Sequence, residues 1–337
     1  MVSVKFVTHA VMTSFRRISE VLCNQMNSME GIYCSVVPLN SSFIPKTQVT
    51  FLHEALYVLE AFGINRDRDG TIICITVSDT DKLSEEGAKR LNETCDHVVT
   101  PSWWSKYGLV NGGVDVPITI IPNPVTTPKL THERRVGFYI SMHQEQFHRK
   151  GTDLALQLIP RIPYPVLVKH YFPFIPINFP NPVEQIGEVS DMSQFYSKIS
   201  HLVLLSRAGA FELPAWEAYC SGAIPIVPTH PLFTDLPAVR IKSTYSNVLL
   251  PPQLSKYHVG GGYEADLNDA LAKVKYAWEN YDELVKKLVE KRDRLCASLT
   301  VENIAAQYLT LTKQTTSLAL STPQRVKYLS SDSLRTL

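Results

Sequence analysis

Hydrophobic residues in the first part of this chain alternate between β-branched runs and stretches with helical spacing. The runs predict strands at Val2–Thr8, 32–39, 71–77, 96–100 and 117–121. The helical spacing predicts helices at Ser14–Met26, Val49–Phe62, Ser84–Asn92 and Trp103–Gly108. The run at Thr71–Val77 is apolar on both faces, as in strands that a parallel sheet buries completely. The alternation therefore predicts an α/β layer structure with right-handed parallel crossovers.

The alternation stops at Pro122–Pro128 and restarts at Val136. After it, strands are predicted at 136–141, 166–169, 202–205 and 224–227. Helices are predicted at 152–158, 191–199, 213–221, 266–295 and 301–311. We therefore predict a first domain at 1–125, a linker at 126–135, a second domain at 136–312 and a loosely packed tail at 313–337.

Length and charge exclude some classes of function. A chain of 337 residues can bury two cores, and its 33 basic residues are balanced by 32 acidic ones, so there is no strong nucleic-acid signal. The N-terminus lacks a signal-peptide pattern, and no run approaches about 20 apolar residues. These features predict a soluble, cytoplasmic chain and leave peripheral membrane contact open.

The six cysteines form no C-x-x-C pair, and most lie in apolar runs. They are expected to be small buried hydrophobic residues in a reducing compartment, rather than a disulfide or zinc framework. The ten histidines show no H-E-x-x-H or other metal spacing. No metal site is predicted.

The stretch from Ser206 to Pro228 carries the most chemical information. It reads as the end of a strand, a loop, a helix that opens at Leu213-Pro214 and stops at Gly222, and a further strand. This order places a helix N-terminus at the carboxyl edge of a parallel sheet, where α/β proteins bind anions. Glu217 lies about one turn into the helix, and a carboxylate beside a diphosphate suits the ribose hydroxyls of a nucleotide sugar.

This stretch resembles the donor-binding motif of GT-B glycosyltransferases of the retaining family four type. That motif usually reads Glu-Gly-Phe-Gly-Leu-Pro, then Glu-Ala, then a Cys/Ala-Gly-x-Pro-Val-Val strand. The positions in register are Phe211, Leu213, Pro214, Glu217, Ala218, Gly222, Pro225 and Val227. Two positions depart from it: Gly209 stands where the first glutamate belongs, and Glu212 stands where the family has glycine.

Other landmarks are similar to the same family over residues 1 to 312. They are Cys95–Ser102, Ile120–Val125, Phe138–Ser141, His148–Leu154 and Ile186–Val189. The arginine that the family carries six residues before its lysine falls at Gln144, so Arg149 or His143 is the expected substitute.

The resemblance implies an α/β GT-B fold with two Rossmann-like domains that face a central cleft. It further implies a hexosyltransferase-type enzyme that transfers a sugar from a nucleotide-diphosphate sugar, with retention and with neither metal nor cofactor. The donor would lie on residues 133–300 and the acceptor, a lipid, protein or glycan, on 1–125. Two alternatives stay open: a non-catalytic GT-B domain that binds a nucleotide or scaffolds a partner, and a sugar-nucleotide epimerase.

The resemblance and the strand ends together give the candidate site residues. The donor-binding set is Lys150, Arg149, Arg207, Gly209, Phe211, Glu212, Leu213 and Glu217. The catalytic candidates are Lys150, Arg149, Glu212 and His9, of which the two cations would neutralise the departing diphosphate. His9 and Asp79, which follow predicted strands, are the acceptor-site candidates.

Each candidate also has a purely structural interpretation. Arg149 and Lys150 can be a solvated loop pair, Asp79 can form a turn, and Glu212 can stabilise the helix start or pair with Arg207. Aromatic residues at 103, 104 and 107 are expected to pack on the sheet rather than stack on a sugar. The glycine run at 260–262 is expected to be a flexible loop.

Overall fold

The first half of the chain is a parallel sheet with helices packed against it. The structure, a computed structural model, describes residues 2–11, 13–171, 174–189, 191–248, 250 and 252–321. The strands are β1 Val2–Thr8, β2 Ile32–Pro38, β3 Val49–His53, β4 Thr71–Ile75, β5 His97–Thr100 and β6 Ile118–Ile120. The helices are α1 Ser14–Asn27, α2 Ala55–Ala61, α3 Arg66–Asp69, α4 Glu85–Thr94 and α5 Trp103–Asn111. The strand order is β2-β1-β3-β4-β5-β6, and all pairs are parallel.

The second half repeats this architecture. Its strands are β7 Val136–Ser141, β8 Val166–Tyr171, β9 Glu184–Ile186, β10 His201–Val203, β11 Ile224–Pro228 and β12 Val239–Ile241. Its helices are α6 Gln144–Phe147, α7 Thr152–Leu158, α8 Ser193–Tyr196 and α9 Leu213–Ser221, with 3-10 turns at Ile159–Arg161 and Pro231–Phe233. The strand order is β12-β11-β10-β7-β8-β9, again with every pair parallel. The predicted α/β class with two parallel sheets is confirmed.

The remaining elements follow the second sheet along the chain. They are β13 Ser243–Asn247, α10 Pro252–Ser255, β14 Gly261–Ala265, α11 Leu267–Glu279, α12 Tyr281–Ser298 and α13 Val301–Ser321. The last helix returns to the first sheet, where Ile304 and Tyr308 are buried in one core with Val4 and Phe6. The predicted domain bounds stay a prediction. Of the predicted tail, residues 313–321 continue α13, and residues 322–337 lie outside the described residues.

The helix predicted over Val49–Phe62 is wrong in its first third. Residues 49–53 form β3, which is fully buried and pairs in parallel with both β1 and β4. Glu54, in the left-handed region at φ 62°, ends the strand, and α2 begins at the next residue. The apolar spacing fitted a helix because a strand buried on both faces followed directly by a helix has nearly the same pattern.

Three shorter predictions also need correction. The helix expected over 191–199 is only α8, and the single helix expected over 266–295 is α11 and α12, separated at Asn280. The glycine run at 260–262 is not a flexible loop, because two of its residues belong to β14, which pairs antiparallel with β13. A Cβ at Gly260 would lie 1.9 Å from Asp81 Oδ1, so close approach of the two halves explains this glycine.

The six cysteines form three disulfides, which contradicts the expectation of free, buried thiols. The pairs are Cys23–Cys34, Cys74–Cys95 and Cys220–Cys296. The bonded cysteines are separated by 11, 21 and 76 residues along the chain. Tertiary packing brings them together, and the spacing of cysteines in the sequence does not reveal this. Disulfides occur in secreted proteins and also in intracellular proteins of hyperthermophiles, so the reducing-compartment argument loses its basis.

Candidate functional site

The carboxyl edges of the two sheets face each other across a cleft, and the strand order reverses in both at this place. In the first sheet, β1 leads to His9 and its neighbour β3 leads to Glu54. In the second, β7 and its neighbour β10 lead to the segments that carry Lys150 and Glu212. Such switch points are where open α/β sheets bind ligands. The cleft has a volume of about 480 Å³, enough for a ligand of ordinary size.

Lys150 is held in the cleft by the glycine that follows it. Gly151 has φ 66°, and a Cβ there would lie 2.1 Å from the carbonyl oxygen of Leu205. The turn before α7 therefore packs tightly on the segment that follows β10. Lys150 Nζ donates to Glu212 Oε1 at 2.6 Å, with side-chain exposures of 24% and 2%. Burial lowers the pKa of Lys150, and the neighbouring carboxylate offsets part of this effect.

Arg149 pairs across the cleft with Asp79. Its Nη1 lies 3.1 Å from Asp79 Oδ2, and both side chains are nearly buried. The backbone amide of Ala210 lies beside this carboxylate and helps to lower its pKa, and the N–H of Gly209 donates to the Asp79 carbonyl oxygen at 2.9 Å. Burial alone would raise the pKa of Asp79, but Arg149, His258 and Lys150 together hold it below its ordinary value. The carboxylate thus sits in an anion site built from both halves.

His9 and Glu54 form the polar pair on the first-sheet side. His9 Nε2 lies 2.8 Å from Glu54 Oε2, and the proximity of this carboxylate raises the pKa of the imidazole. Glu54 lines the cleft, whereas His9 lies outside its lining. Glu54 is the one non-glycine residue with positive φ among those described. A side chain held in that strained conformation, with its carboxylate at the cleft, is typical of functional sites.

Glu217 lies one turn into α9 as predicted, but outside the set of residues that line the cleft. Its Oε2 accepts a hydrogen bond from the Tyr196 hydroxyl at 2.6 Å. Burial raises the pKa of the carboxyl to about 7, although the tyrosine bond opposes the shift. The ribose contact predicted for Glu217 therefore requires that a ligand reach beyond the residues that line this cleft or that this tyrosine bond be exchanged.

The first N–H groups of α9 are less available to a ligand than the sequence suggested. Leu213 N–H donates to the Phe211 carbonyl, Pro214 has no N–H, and Ala215 N–H donates to the Glu212 carbonyl. Anion binding at this edge therefore depends on the two cationic side chains and on the helix dipole.

Arg207 is not paired with Glu212 and does not line the cleft. It is 2% exposed, donates bidentately to Asp153 at 2.7 Å and donates to Glu264 at 2.8 Å. These bonds anchor the loop that carries Gly209 to α7 and to the β13–β14 hairpin. The donor-binding role predicted for Arg207 gains no support from this position.

The other predicted donor residues do line the cleft, and the structure adds side chains that sequence reasoning missed. Gly209, Phe211, Glu212 and Leu213 are joined there by Glu54, Tyr57, Tyr139, Tyr171 and His258. Glu54 was hidden by the incorrect helix over 49–62. His258 lies about 180 positions from Asp79, whose N–H it accepts at 3.3 Å, and no local pattern could have placed it there.

The aromatic residues that open α5 divide between two environments. Trp104 is buried, but it packs against His230 and Tyr263 of the second half rather than on the first sheet, and its Nε1 donates to the Asp79 carbonyl at 3.3 Å. Trp103 and Tyr107 are more than half exposed, so they do not pack on the sheet. Within the described residues, no group of three or more histidine, cysteine, aspartate or glutamate side chains is arranged to hold a metal. In the same part of the chain, no helix is both long and apolar enough to span a bilayer.

The chain matches no protein-family model. It is 24% identical over 255 residues to the uncharacterised protein 356 of Sulfolobus islandicus rod-shaped virus 1. This alignment covers 67% of this chain and 71% of the viral protein. It is 21% identical over 262 residues to a Sulfolobus islandicus filamentous virus protein provisionally designated glycosyltransferase 45. This alignment covers 70% of this chain and 72% of that protein.

Solved structures share the architecture over nearly the whole chain. Anabaena HepE, crystallised with UDP and glucose, superposes with a TM-score of 0.68 at 10% identity, covering 93% of this chain and all of that one. Sucrose-phosphate synthase from Thermosynechococcus elongatus superposes with a TM-score of 0.64 at 14% identity, covering 96% of this chain and all of that one. A Rickettsia africae glycosyltransferase superposes with a TM-score of 0.66 at 12% identity, covering 93% of this chain and 98% of that one. The chain has the GT-B fold, as the sequence resemblance implied.

Proposed function

We propose that this chain is a glycosyltransferase that transfers a sugar from a UDP-sugar to an acceptor hydroxyl. The observation that carries the proposal is the Lys150–Glu212 pair, which lies at the switch point of the second sheet and faces the switch point of the first. A cation and a carboxylate 2.6 Å apart suit a donor that offers a diphosphate beside a hydroxylated sugar. The complexes of HepE with UDP and with UDP-glucose support the choice of nucleotide.

In this proposal the donor lies along the second sheet. Lys150 and Arg149 contact the diphosphate, and the loop residues Gly209, Phe211 and Leu213 shape the pocket around the sugar. Glu217 accepts hydroxyl hydrogen bonds from the ribose once its tyrosine partner yields. Both cations already have carboxylate partners, so the incoming diphosphate exchanges with Asp79 and Glu212 rather than filling a bare positive site.

The chemistry then depends on charge stabilisation. The bond between the sugar C1 and the phosphate oxygen breaks, and the leaving diphosphate keeps the electron pair. Lys150 and Arg149 stabilise the negative charge that develops there. The acceptor, a lipid, protein or glycan, binds beside His9, Glu54 and Asp79. Its hydroxyl oxygen forms the new bond to C1 with retention, and the hydroxyl proton passes to the leaving diphosphate oxygen. The closed cleft keeps out water that would hydrolyse the donor. This mechanism needs neither a metal nor a further cofactor.

A second candidate function is a non-catalytic GT-B domain that binds a nucleotide. The observation that favours it is the pairing of both cleft cations with buried carboxylates. In such a protein the Asp79–Arg149 pair would hold the two halves together, and a nucleotide would displace Asp79 and Glu212 from the cations without bond cleavage.

Turnover distinguishes the two functions. The protein is incubated with a panel of nucleotide sugars, beginning with UDP-glucose, and the released nucleoside diphosphate is measured. A glycosyltransferase releases UDP, slowly by hydrolysis and faster with an accepted hydroxyl compound, and NMR of the product shows the retained anomer. Binding of UDP-sugars without release of UDP from any of them would establish the non-catalytic domain instead.

A further inference from the structure

The carboxylate of Glu212 occupies the space into which a side chain at Gly209 would project. A Cβ placed on Gly209 would lie 2.5 Å from Glu212 Oε1, closer than real Cβ atoms approach an oxygen. The same oxygen accepts the 2.6 Å hydrogen bond from Lys150. Residue 209 therefore cannot carry any side chain while Glu212 keeps its position.

This close approach explains both departures from the donor-binding motif. The motif has glutamate before its phenylalanine and glycine after it, whereas this chain has Gly209 before Phe211 and Glu212 after it. The two departures lie in one place in the structure, so they form a reciprocal exchange rather than two independent losses. The chain retains one carboxylate beside Lys150, supplied from three residues later.

We propose that Glu212 is the residue that recognises the donor sugar, and that Gly209 is glycine in order to make room for it. The inference rests on the proposed function, since it assigns a contact to the sugar of the donor. A carboxylate has about four acceptor sites, and those that Lys150 does not use, or gives up when the diphosphate binds, are available to sugar hydroxyls. Glu212 is 2% exposed, and a buried acceptor built for hydroxyls strongly favours a ligand that supplies them.

The proposal separates the contacts of the sugar from those of the nucleotide. Removing Glu212 takes away the extra affinity of UDP-glucose over UDP. It does not lower the affinity for UDP itself, because Lys150 loses a competing anion and stays available to the diphosphate. A merely structural role for Glu212 would lower the affinity for both ligands together.

The test compares wild type, Gly209→Glu, Glu212→Gly and the double variant G209E/E212G. Binding of UDP and of UDP-glucose is measured for each by calorimetry, together with release of UDP. Each single variant should lose the preference for UDP-glucose over UDP by about 10- to 100-fold, as expected for one charge-assisted contact. In Gly209→Glu the loss arises because two carboxylates compete for one space beside Lys150. The double variant again has one carboxylate there, so it should regain a preference for UDP-glucose over UDP that Glu212→Gly lacks, although the φ of 158° at residue 209 strains any side chain and keeps the recovery incomplete.

A second pair guards against a failure to fold. Glu212→Ala and G209E/E212A avoid the added flexibility of a second glycine, and thermal unfolding shows which variants are native. If Gly209→Glu does not fold, two comparisons still test the proposal: Glu212→Gly with G209E/E212G, and Glu212→Ala with G209E/E212A. In each pair the double variant should have the stronger preference for UDP-glucose over UDP.

Two results contradict the proposal and can be told apart. If wild type prefers UDP-glucose to UDP but folded G209E/E212G is no better than Glu212→Gly, the exchange is wrong and the proposed function stands. If wild type binds neither UDP nor any nucleotide sugar in the panel, the proposed function fails and the sugar contact of Glu212 fails with it.

Discussion

Arg149, from the second half of the chain, and Asp79, from the first, meet across the cleft with 3.1 Å between Nη1 and Oδ2. The backbone amide of Ala210 also lies beside this carboxylate, which therefore occupies a place where a phosphate oxygen could be held. A diphosphate that binds Arg149 must compete with it. The pair therefore connects ligand binding to the contact between the two halves.

Asp79→Asn should lower the stability of the free protein and increase its response to UDP. The variant leaves the guanidinium without a charged partner, at a cost of about 3 kcal/mol, and UDP can then supply the missing anion. The rise in melting temperature on adding UDP should be larger than for wild type. Asp81→Asn is the matched control, since Asp81 binds Gly261 N–H and the Tyr245 hydroxyl but no cleft cation. Equal UDP responses in all three proteins would mean that Asp79 does not compete with the ligand.

Glu217 should make the stability of the free protein fall as the pH rises from about 4.5 to 7. Its folded-state pKa is about 7 against an ordinary value of 4.5. The folded chain therefore holds this proton more tightly than the unfolded chain, and the stabilisation is complete below 4.5 and is lost as the pH passes 7. The difference corresponds to about 3 kcal/mol.

Urea unfolding of wild type and of Glu217→Gln at several pH values checks this. The variant should lack the decline, and it should be more stable than wild type above pH 7. The exposed Glu302→Gln serves as the control and should follow wild type. Parallel curves for wild type and Glu217→Gln would show that the carboxyl is not held protonated by burial.

The Cys220–Cys296 disulfide should stabilise the protein more than Cys23–Cys34. It ties the end of α9 to α12 over a separation of 76 residues, against 11 for the other pair. Loop entropy gives about 4.5 and about 3 kcal/mol respectively. Urea unfolding of C220S/C296S and of C23S/C34S, each compared with wild type, measures the free energy of unfolding that each disulfide contributes. Six free thiols in the unreduced, denatured wild type would show that the bridges do not form.

Tyr257 should hold the last third of the chain to the first sheet. Its ring is fully buried in one core with Leu56 and Leu91, and its hydroxyl donates to Glu60 at 2.6 Å. Tyr257→Ala should cost about 3–5 kcal/mol of unfolding free energy, because it opens a cavity. Tyr257→Phe keeps the ring and should cost about 1 kcal/mol. Similar small losses in both variants would mean that the ring does not contribute to joining the halves.

The sequence predicted the parts of the site that lie in one continuous stretch. The helix Leu213–Ser221 has the predicted bounds, because Pro214 and Gly222 mark its ends by local backbone chemistry. Lys150 and Glu212 were both candidates, although their contact was not foreseen. Contacts such as this one depend on how strand ends meet across a sheet, which periodicity does not specify.

The errors have the same physical origin. The buried strand β3 has the apolar pattern of a helix, and that misreading concealed Glu54 at its end. The disulfides, the Arg149–Asp79 pair and the approach of His258 all join residues that are distant in sequence. No pattern within a window of the chain carries such information.

The binding of UDP to wild type, Lys150→Ala and Lys198→Ala measures whether the cleft holds a donor nucleotide. Lys198 is the matched control, because it belongs to the same half and pairs with Glu184 at 3.4 Å on the surface. Calorimetry should show that Lys150→Ala binds UDP about 10- to 100-fold more weakly than wild type, while Lys198→Ala binds it equally well and both variants keep the wild-type fold. Undiminished UDP affinity in Lys150→Ala, or no affinity in wild type, would contradict the placement of a UDP-sugar in this cleft.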